Sequence, residues 1–386
     1  MHQKRILIFN DCFYMGGTEI LLVNLLNHLN EKGCDITLLL PNPSEKNVLL
    51  ERVSEDVPVR YFHPKELKGL KRWIFKNILI FYPRLFAKLT GFDAYEYDEI
   101  VCFKDGFYSI LFSKIDRPKY LWVHNQPFVR DYTGKNLKEK LSYALNKKQI
   151  KRMYASFDKF DRVICVSDSC KRGYIDIYHG GTPKKDIEVL YNALDLSGIT
   201  ERAKEPISLP KPERFSFVVV IRLSYEKTVD RAIIAVDKLL KEGYDLEMHI
   251  LGDGAEFDKL RTLITELGRD DRITMHGRVG NPFPYMRRAD WFLCPSSRES
   301  FALTLLESIT IGTPIITTDC GGPEDVIMRG KYGIFVENSL EGVIEGMKKA
   351  MDNPELRSYY NDTAEENLSR FSYPRWLKAV DEILGV

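Results

Sequence analysis

Two glutamates eight positions apart supply the strongest chemical signal in the chain. They lie in the run Cys294-Pro-Ser-Ser-Arg-Glu299-Ser-Phe-Ala-Leu-Thr-Leu-Leu-Glu307, which continues to Gly312-Thr-Pro314. A strand ends near Cys294, Glu299 lies in the following loop, and Glu307 falls about two turns inside a helix. The backbone N–H groups from Ser300 through Phe301 and Ala302 to Leu303 stand at the helix start, where unsatisfied donors favour an anion. Each carboxylate can accept two hydroxyl hydrogen bonds from a sugar or a ribose. A lone Glu near a helix start is equally explained by dipole stabilisation, so the pair carries the signal.

Two further groups are weaker taken alone. Arg222 and Lys227 follow the strand-like run 215–221, where cations at a carboxyl end suit a diphosphate and help it depart. Either one is also an ordinary surface charge. Gly16-Gly17 sits at the first strand-to-helix turn, where missing side chains let backbone approach a phosphate or sugar. Neither this pair nor Gly252-Asp-Gly254 completes a dinucleotide fingerprint, because Phe257 stands where the third glycine would fall.

The elements that must position these residues form two α/β units in tandem. Apolar runs at 6–9, 36–40, 99–103, 120–123, 162–166 and 187–190 read as buried parallel strands, with an amphipathic helix from Thr18 to Leu29. Residues 196–213, with Pro206, Pro210 and Pro212, have linker composition. The pattern then restarts, with strands at 215–221, 246–251, 273–276, 291–294, 314–317 and 333–336. A last helix near 374–384 carries an apolar face of Trp376, Leu377, Val380 and Ile383. The expected fold is therefore α/β, with two Rossmann-like domains facing across a cleft.

Composition narrows the function classes. The chain has 386 residues, 44% hydrophobic, with a formal net charge of +1, so overall charge gives nucleic acid no support as a partner. Charge is nonetheless uneven: residues 1–196 hold 31 Lys and Arg against 24 Asp and Glu, which makes that half basic. The seven cysteines form no C-x-x-C pair, which argues against a disulfide framework or zinc ribbon and fits a reducing compartment. The N-terminus runs directly into a strand, and no apolar run is long enough to span a bilayer. A cytoplasmic protein is expected.

Together these pieces resemble the retaining glycosyltransferases of family 4, with the GT-B fold. The resemblance runs from Gly16-Gly17-Thr-Glu through Trp122-Val-His124-Asn, Val163-Ile-Cys-Val-Ser167 and Leu190-Tyr-Asn192-Ala-Leu-Asp195. It continues through Arg222…Lys227, Leu251-Gly-Asp253-Gly, His276-Gly277-Arg278 and the Glu299–Glu307 segment. It implies an N-terminal acceptor domain over 1–195, a donor domain over 214–371, and a C-terminal helix, 372–386, packing back on the N-terminal domain.

It also implies roles. Arg222 and Lys227 would grip the diphosphate of a nucleotide-sugar, a UDP-sugar by family frequency. Glu307 would bind the ribose, and Glu299 the transferred sugar. Backbone at Ser300, Phe301, Ala302 and Leu303 would contact sugar or phosphate. Gly16 and Gly17 would sit near the phosphates, and His124 near the bond being broken. No metal or other cofactor is expected, and the acceptor would be a glycan or a lipid-linked glycan. The readings set against transfer are a nucleotide-sugar epimerase of the same fold and a non-catalytic nucleotide-sugar-binding subunit. The sequence departs from the family pattern at Ile221 and Thr228, where glycine is usual, and at Ser300-Phe-Ala302, which replaces a more glycine-rich stretch.

Residues 65–89 carry a separate signal. At helical spacing Lys65, Lys68, Arg72 and Lys76 share one face and Leu70, Ile74, Ile78 and Phe81 the opposite one, with Trp73 at its edge. Phe75 and Leu79 interrupt the basic side. Such a segment either lies on an anionic membrane surface, here the inner leaflet, or packs on the sheet with a solvated basic edge. Lysines 135, 138, 140, 147, 148 and 151 add a second basic stretch.

Overall fold

The computed structural model describes residues 4–125, 137–207 and 213–386. Lys135, Pro210 and Pro212 lie outside them, as do the side chains of Lys76, Lys138 and Lys140. The chain divides into two compact units: residues 1–191 with 377–386, and residues 192–376.

Unit 1 holds a parallel sheet of β1 (Arg5–Phe9), β2 (Asp35–Leu40), β3 (Val59–Tyr61), β4 (Glu99–Cys102), β5 (Lys119–Val123), β6 (Arg162–Cys165) and β7 (Glu188–Val189). Their spatial order is β3-β2-β1-β4-β5-β6-β7, so strand order reverses between β1 and β4. Unit 2 repeats the plan with β8 (Phe215–Val220), β9 (Leu246–Leu251), β10 (Ile273–Gly277), β11 (Trp291–Cys294), β12 (Ile315–Thr318) and β13 (Ile334–Val336). Its order is β10-β9-β8-β11-β12-β13, reversing between β8 and β11. The continuous apolar runs become strands because helices cover both faces and water reaches neither. Ile6, Leu7, Ile8, Phe217, Val218 and Val219 are inaccessible to solvent.

The stretch 196–207 contributes a short helix, Ile199–Arg202, inside unit 2. The last helix, Tyr373–Leu384, ends against unit 1. There Asp381 takes His28 at 3.0 Å and Lys32 at 2.9 Å, and Lys4 donates to the Leu384 carbonyl at 2.6 Å.

The face assignment for residues 65–89 needs correction. They do not form one helix. A helix over Gly69–Asn77 stops where Ile78 leaves helical geometry (φ −128°, ψ −69°), and Pro83 begins a second helix, Pro83–Thr90. The break rotates the pattern. Phe75, expected to interrupt the basic side, is the buried anchor, and Leu70, placed on the opposite face with Phe81, is exposed.

Candidate active site

In a doubly wound sheet, ligands collect beyond the carboxyl ends of the strands where strand order reverses. In unit 2 that place lies between the loops after β8 and β11. The β8 loop turns back through a short 3-10 segment, Tyr225–Lys227, and aims Lys227 at the β11 loop. Lys227 Nζ lies 2.6 Å from Glu299 Oε1, and the two side chains are only 13% and 11% exposed. Ser296 Oγ donates to the same oxygen at 3.0 Å. The Glu299 backbone is also fixed: its N–H donates to the Cys320 carbonyl, and its carbonyl accepts from Gly322 N–H, each at 2.8 Å.

The two loops are laced together. Ser297 donates from both N–H and Oγ to the Glu226 carbonyl at 2.9 Å. Thr228 Oγ1 donates to the Pro295 carbonyl at 2.7 Å. From the other side the turn after β9 presses on the β8 loop. A Cβ at Gly252 would fall 1.8 Å from the Ile221 carbonyl oxygen, so only glycine fits. Ile221 packs its side chain toward the unit 2 core.

The departures from the family pattern now have a geometry. Thr228 (φ 40°, ψ 44°) and Ala302 (φ 61°, ψ 73°) both hold left-handed backbone, which glycine adopts without a Cβ penalty. At 228 the side chain that replaces glycine adds the bond to Pro295.

Arg222 is placed differently from Lys227. It is 73% exposed, and among the described residues its guanidinium reaches Glu226 alone, at 3.4 Å. Ser300, Phe301 and Ala302 lead into the helix Leu303–Thr310. Phe301 is an internal anchor, 5.6 Å edge-on from Phe371, so only its backbone is available to a ligand. Glu307 sits in the second turn, and burial raises its carboxyl to about 7, with Arg202 pulling weakly the other way.

The remaining predicted residues lie in unit 1. Gly16 caps the helix Gly17–Glu31, and a Cβ there would meet the Glu19 carboxylate at 2.4 Å. The missing side chain thus makes room for Glu19. At this unit's own reversal point Lys104, just beyond β4, reaches Glu19 at 2.8 Å and Asp11 at 3.3 Å. Burial works against the charge of Lys104, but Asp11 and Glu19 outweigh it and hold the ammonium above its ordinary range.

His124 follows β5 and packs on Phe103 at 5.0 Å. Burial lowers its pKa to about 3, with Lys104 acting in the same direction, so the ring is neutral. Asp105 fixes its backbone, accepting N–H bonds from His124 at 2.8 Å and Asn125 at 3.0 Å. Sequence reasoning gave no role to Glu19, Lys104, Asp105 or Ser296. The Lys104-Asp105 pair directly after a strand was the available signal.

The family described as Glycosyltransferase Family 4 matches residues 15–197, and that described as Glycosyl transferases group 1 matches residues 200–367. One relative from Campylobacter jejuni is 26% identical over 380 residues, covering 96% of each chain. Its name is N-acetylgalactosamine-N,N'-diacetylbacillosaminyl-diphospho-undecaprenol 4-alpha-N-acetylgalactosaminyltransferase. A Salmonella typhimurium lipopolysaccharide 1,6-galactosyltransferase is 28% identical over half of this chain and 53% of its own. Among solved structures, Anabaena HepE in complex with UDP and glucose superposes with a TM-score of 0.74 at 17% identity, covering 99% of both chains, a likeness of fold.

Proposed function

We propose, from the premise that this chain belongs to the glycosyltransferases of family 4 and group 1, that it moves a sugar from a UDP-sugar to a lipid-linked or glycan acceptor. The transfer retains the anomeric configuration and needs no metal. The observation that carries the reading is the Lys227–Glu299 pair at the reversal point of unit 2, next to a helix start. The HepE complex with UDP and the undecaprenol-linked substrate in the name of the Campylobacter relative support the choice of donor and acceptor. A lipid-linked acceptor would bring the chain to the inner face of the membrane, and no helix among the described residues is long and apolar enough to cross one.

In this account a bound donor turns Lys227 from Glu299 toward the diphosphate, and exposed Arg222 swings in beside it. Glu299 is then released to accept hydroxyl bonds from the sugar. Glu307 accepts from the ribose. As the bond from the anomeric carbon to the diphosphate oxygen breaks, the acceptor hydroxyl attacks from the same side. Its proton passes to the departing diphosphate. Once donor binding has brought both cations in, they and the helix N–H groups stabilise that charge as the bond breaks. His124, kept neutral by burial, brings no charge to the reaction.

The test is turnover of UDP-sugars with an undecaprenyl-diphosphate-linked acceptor in EDTA. Acceptor-dependent release of UDP with the α-linkage retained supports the reading. A rearranged sugar released without acceptor would instead make the protein an epimerase, and binding without turnover a non-catalytic subunit.

A further inference from the structure

Residues 69–90 present a surface unlike the rest of the chain. Six exposed large apolar side chains fall within twenty consecutive positions: Leu70, Trp73, Ile78, Tyr82, Leu85 and Leu89. Elsewhere among the described residues such side chains are scattered. Leu70 is 71% exposed, Leu89 62% and Trp73 56%. They face outward because Phe75, Ile80 and Phe86 face inward, with the Phe75 and Phe86 rings 5.5 Å apart. Trp73 stands two positions from Phe75, on the opposite side of its helix, and Leu85 and Leu89 share one flank of the next.

Charge identifies the occupant. Residues 65–89 carry seven lysines and arginines against one acid, Glu66. Lys68, Lys71, Arg72, Arg84 and Lys88 are exposed around the apolar side chains. Single exposed apolar side chains are ordinary, but such a concentration rimmed by polar residues marks an interaction surface. A second copy of the chain would bring a like-charged face against this one. An anionic bilayer offers both complements, phosphates for the cations and an acyl boundary for the apolar groups, with Trp and Tyr at headgroup depth.

We propose that the outer face of residues 69–90 docks in the plane of an anionic lipid bilayer. Leu70, Trp73, Leu85 and Leu89 enter the headgroup–acyl boundary, and the surrounding lysines and arginines rest on lipid phosphates. This inference stands apart from the transfer reaction, because a docking face and a donor site can fail separately.

The test uses the whole protein and vesicles of equal parts phosphatidylglycerol and phosphatidylcholine, with phosphatidylcholine alone as the comparison. Binding is expected to the anionic vesicles at low salt and to fall as salt rises. Trp73 is a built-in reporter, since Trp122, Trp291 and Trp376 are buried. Its emission should shift to shorter wavelength on binding and be quenched by brominated lipid, with no substitution needed. Replacing Lys68, Lys71 and Arg72 together by Gln should weaken binding about a hundredfold. Leu70→Ser with Leu89→Ser should weaken it at least about tenfold at an unchanged melting temperature. Absence of binding to anionic vesicles, or variants that bind as tightly as the parent, overturns the proposal. So does a solution dimer that Leu70→Ser with Leu89→Ser dissociates, because the face would then belong to a second copy.

Discussion

The two reversal points of this chain carry the same device built in opposite senses. In unit 2 the lysine comes from the loop after the central strand β8, and its carboxylate comes from the loop after β11. In unit 1 the lysine comes from the loop after β4, and its carboxylates come from the β1 side, Asp11 and Glu19. Lys227 meets one carboxylate that Ser296 also holds, beside a second cation, Arg222, that is turned to solvent. Lys104 meets two carboxylates, and the acid count exceeds the base count. A lysine–glutamate pair at a switch point is therefore not by itself a site. Unit 2 has a cation for each carboxylate, Lys227 for Glu299 and the exposed Arg222 for Glu226, whereas in unit 1 two carboxylates share Lys104.

Breaking each pair should separate the two roles. Lys227→Ala is expected to lower turnover roughly a hundred- to thousand-fold, as loss of one preorganised charge donor does. Lys104→Ala should act on folding instead. It leaves Glu19 buried without its cation and should cost about 3 kcal/mol of stability, read by denaturant unfolding, while turnover of the folded fraction stays within about tenfold of the parent. If both variants lose turnover equally while folded, the contrast between the units disappears.

The pH dependence sharpens the same contrast. Glu307 in unit 2 titrates near 7 because burial opposes its charge. Below that it is protonated and accepts hydroxyl bonds poorly; above it the carboxylate accepts two. Donor KM should therefore fall as pH rises from 6 to 8, by about tenfold. Glu307→Gln should flatten the profile. His124 in unit 1, with a pKa of about 3, should contribute nothing in that range.

Much of this was legible in the sequence, and the failures have physical causes. Parallel strands declare themselves as apolar runs, and the loops after 215–221 and 291–294 could be placed without coordinates. β3, Val59–Tyr61, was invisible because a three-residue edge strand with Arg60 in it has no apolar run. Residues 65–89 misled because spacing assumed one helix across Ile78 and Pro83. Lys104 and Glu19, 85 positions apart, meet only through the fold. The unusual residues at 228 and 302 were visible, but their left-handed backbone was not.

The smallest expected effect concerns Thr228. Thr228→Gly relieves the left-handed strain and loses the bond to Pro295, each worth about 1 kcal/mol, so stability should hardly change. Thr228→Val keeps the strain and loses the bond, and should be less stable than the glycine variant by about 1 kcal/mol. If the two prove equal, the left-handed backbone at 228 carries no strain; if Thr228→Val is as stable as the parent, Thr228 does not lace the loops.

The most direct test is the rise in melting temperature on adding UDP in EDTA, compared across the parent protein, Lys227→Ala and Lys104→Ala. A ligand that binds only the folded state raises that temperature by mass action. The account predicts the same rise for the parent and Lys104→Ala from their own baselines, and little or none for Lys227→Ala. An undiminished rise in Lys227→Ala, or a rise abolished in Lys104→Ala, would contradict the placement of the donor site in unit 2.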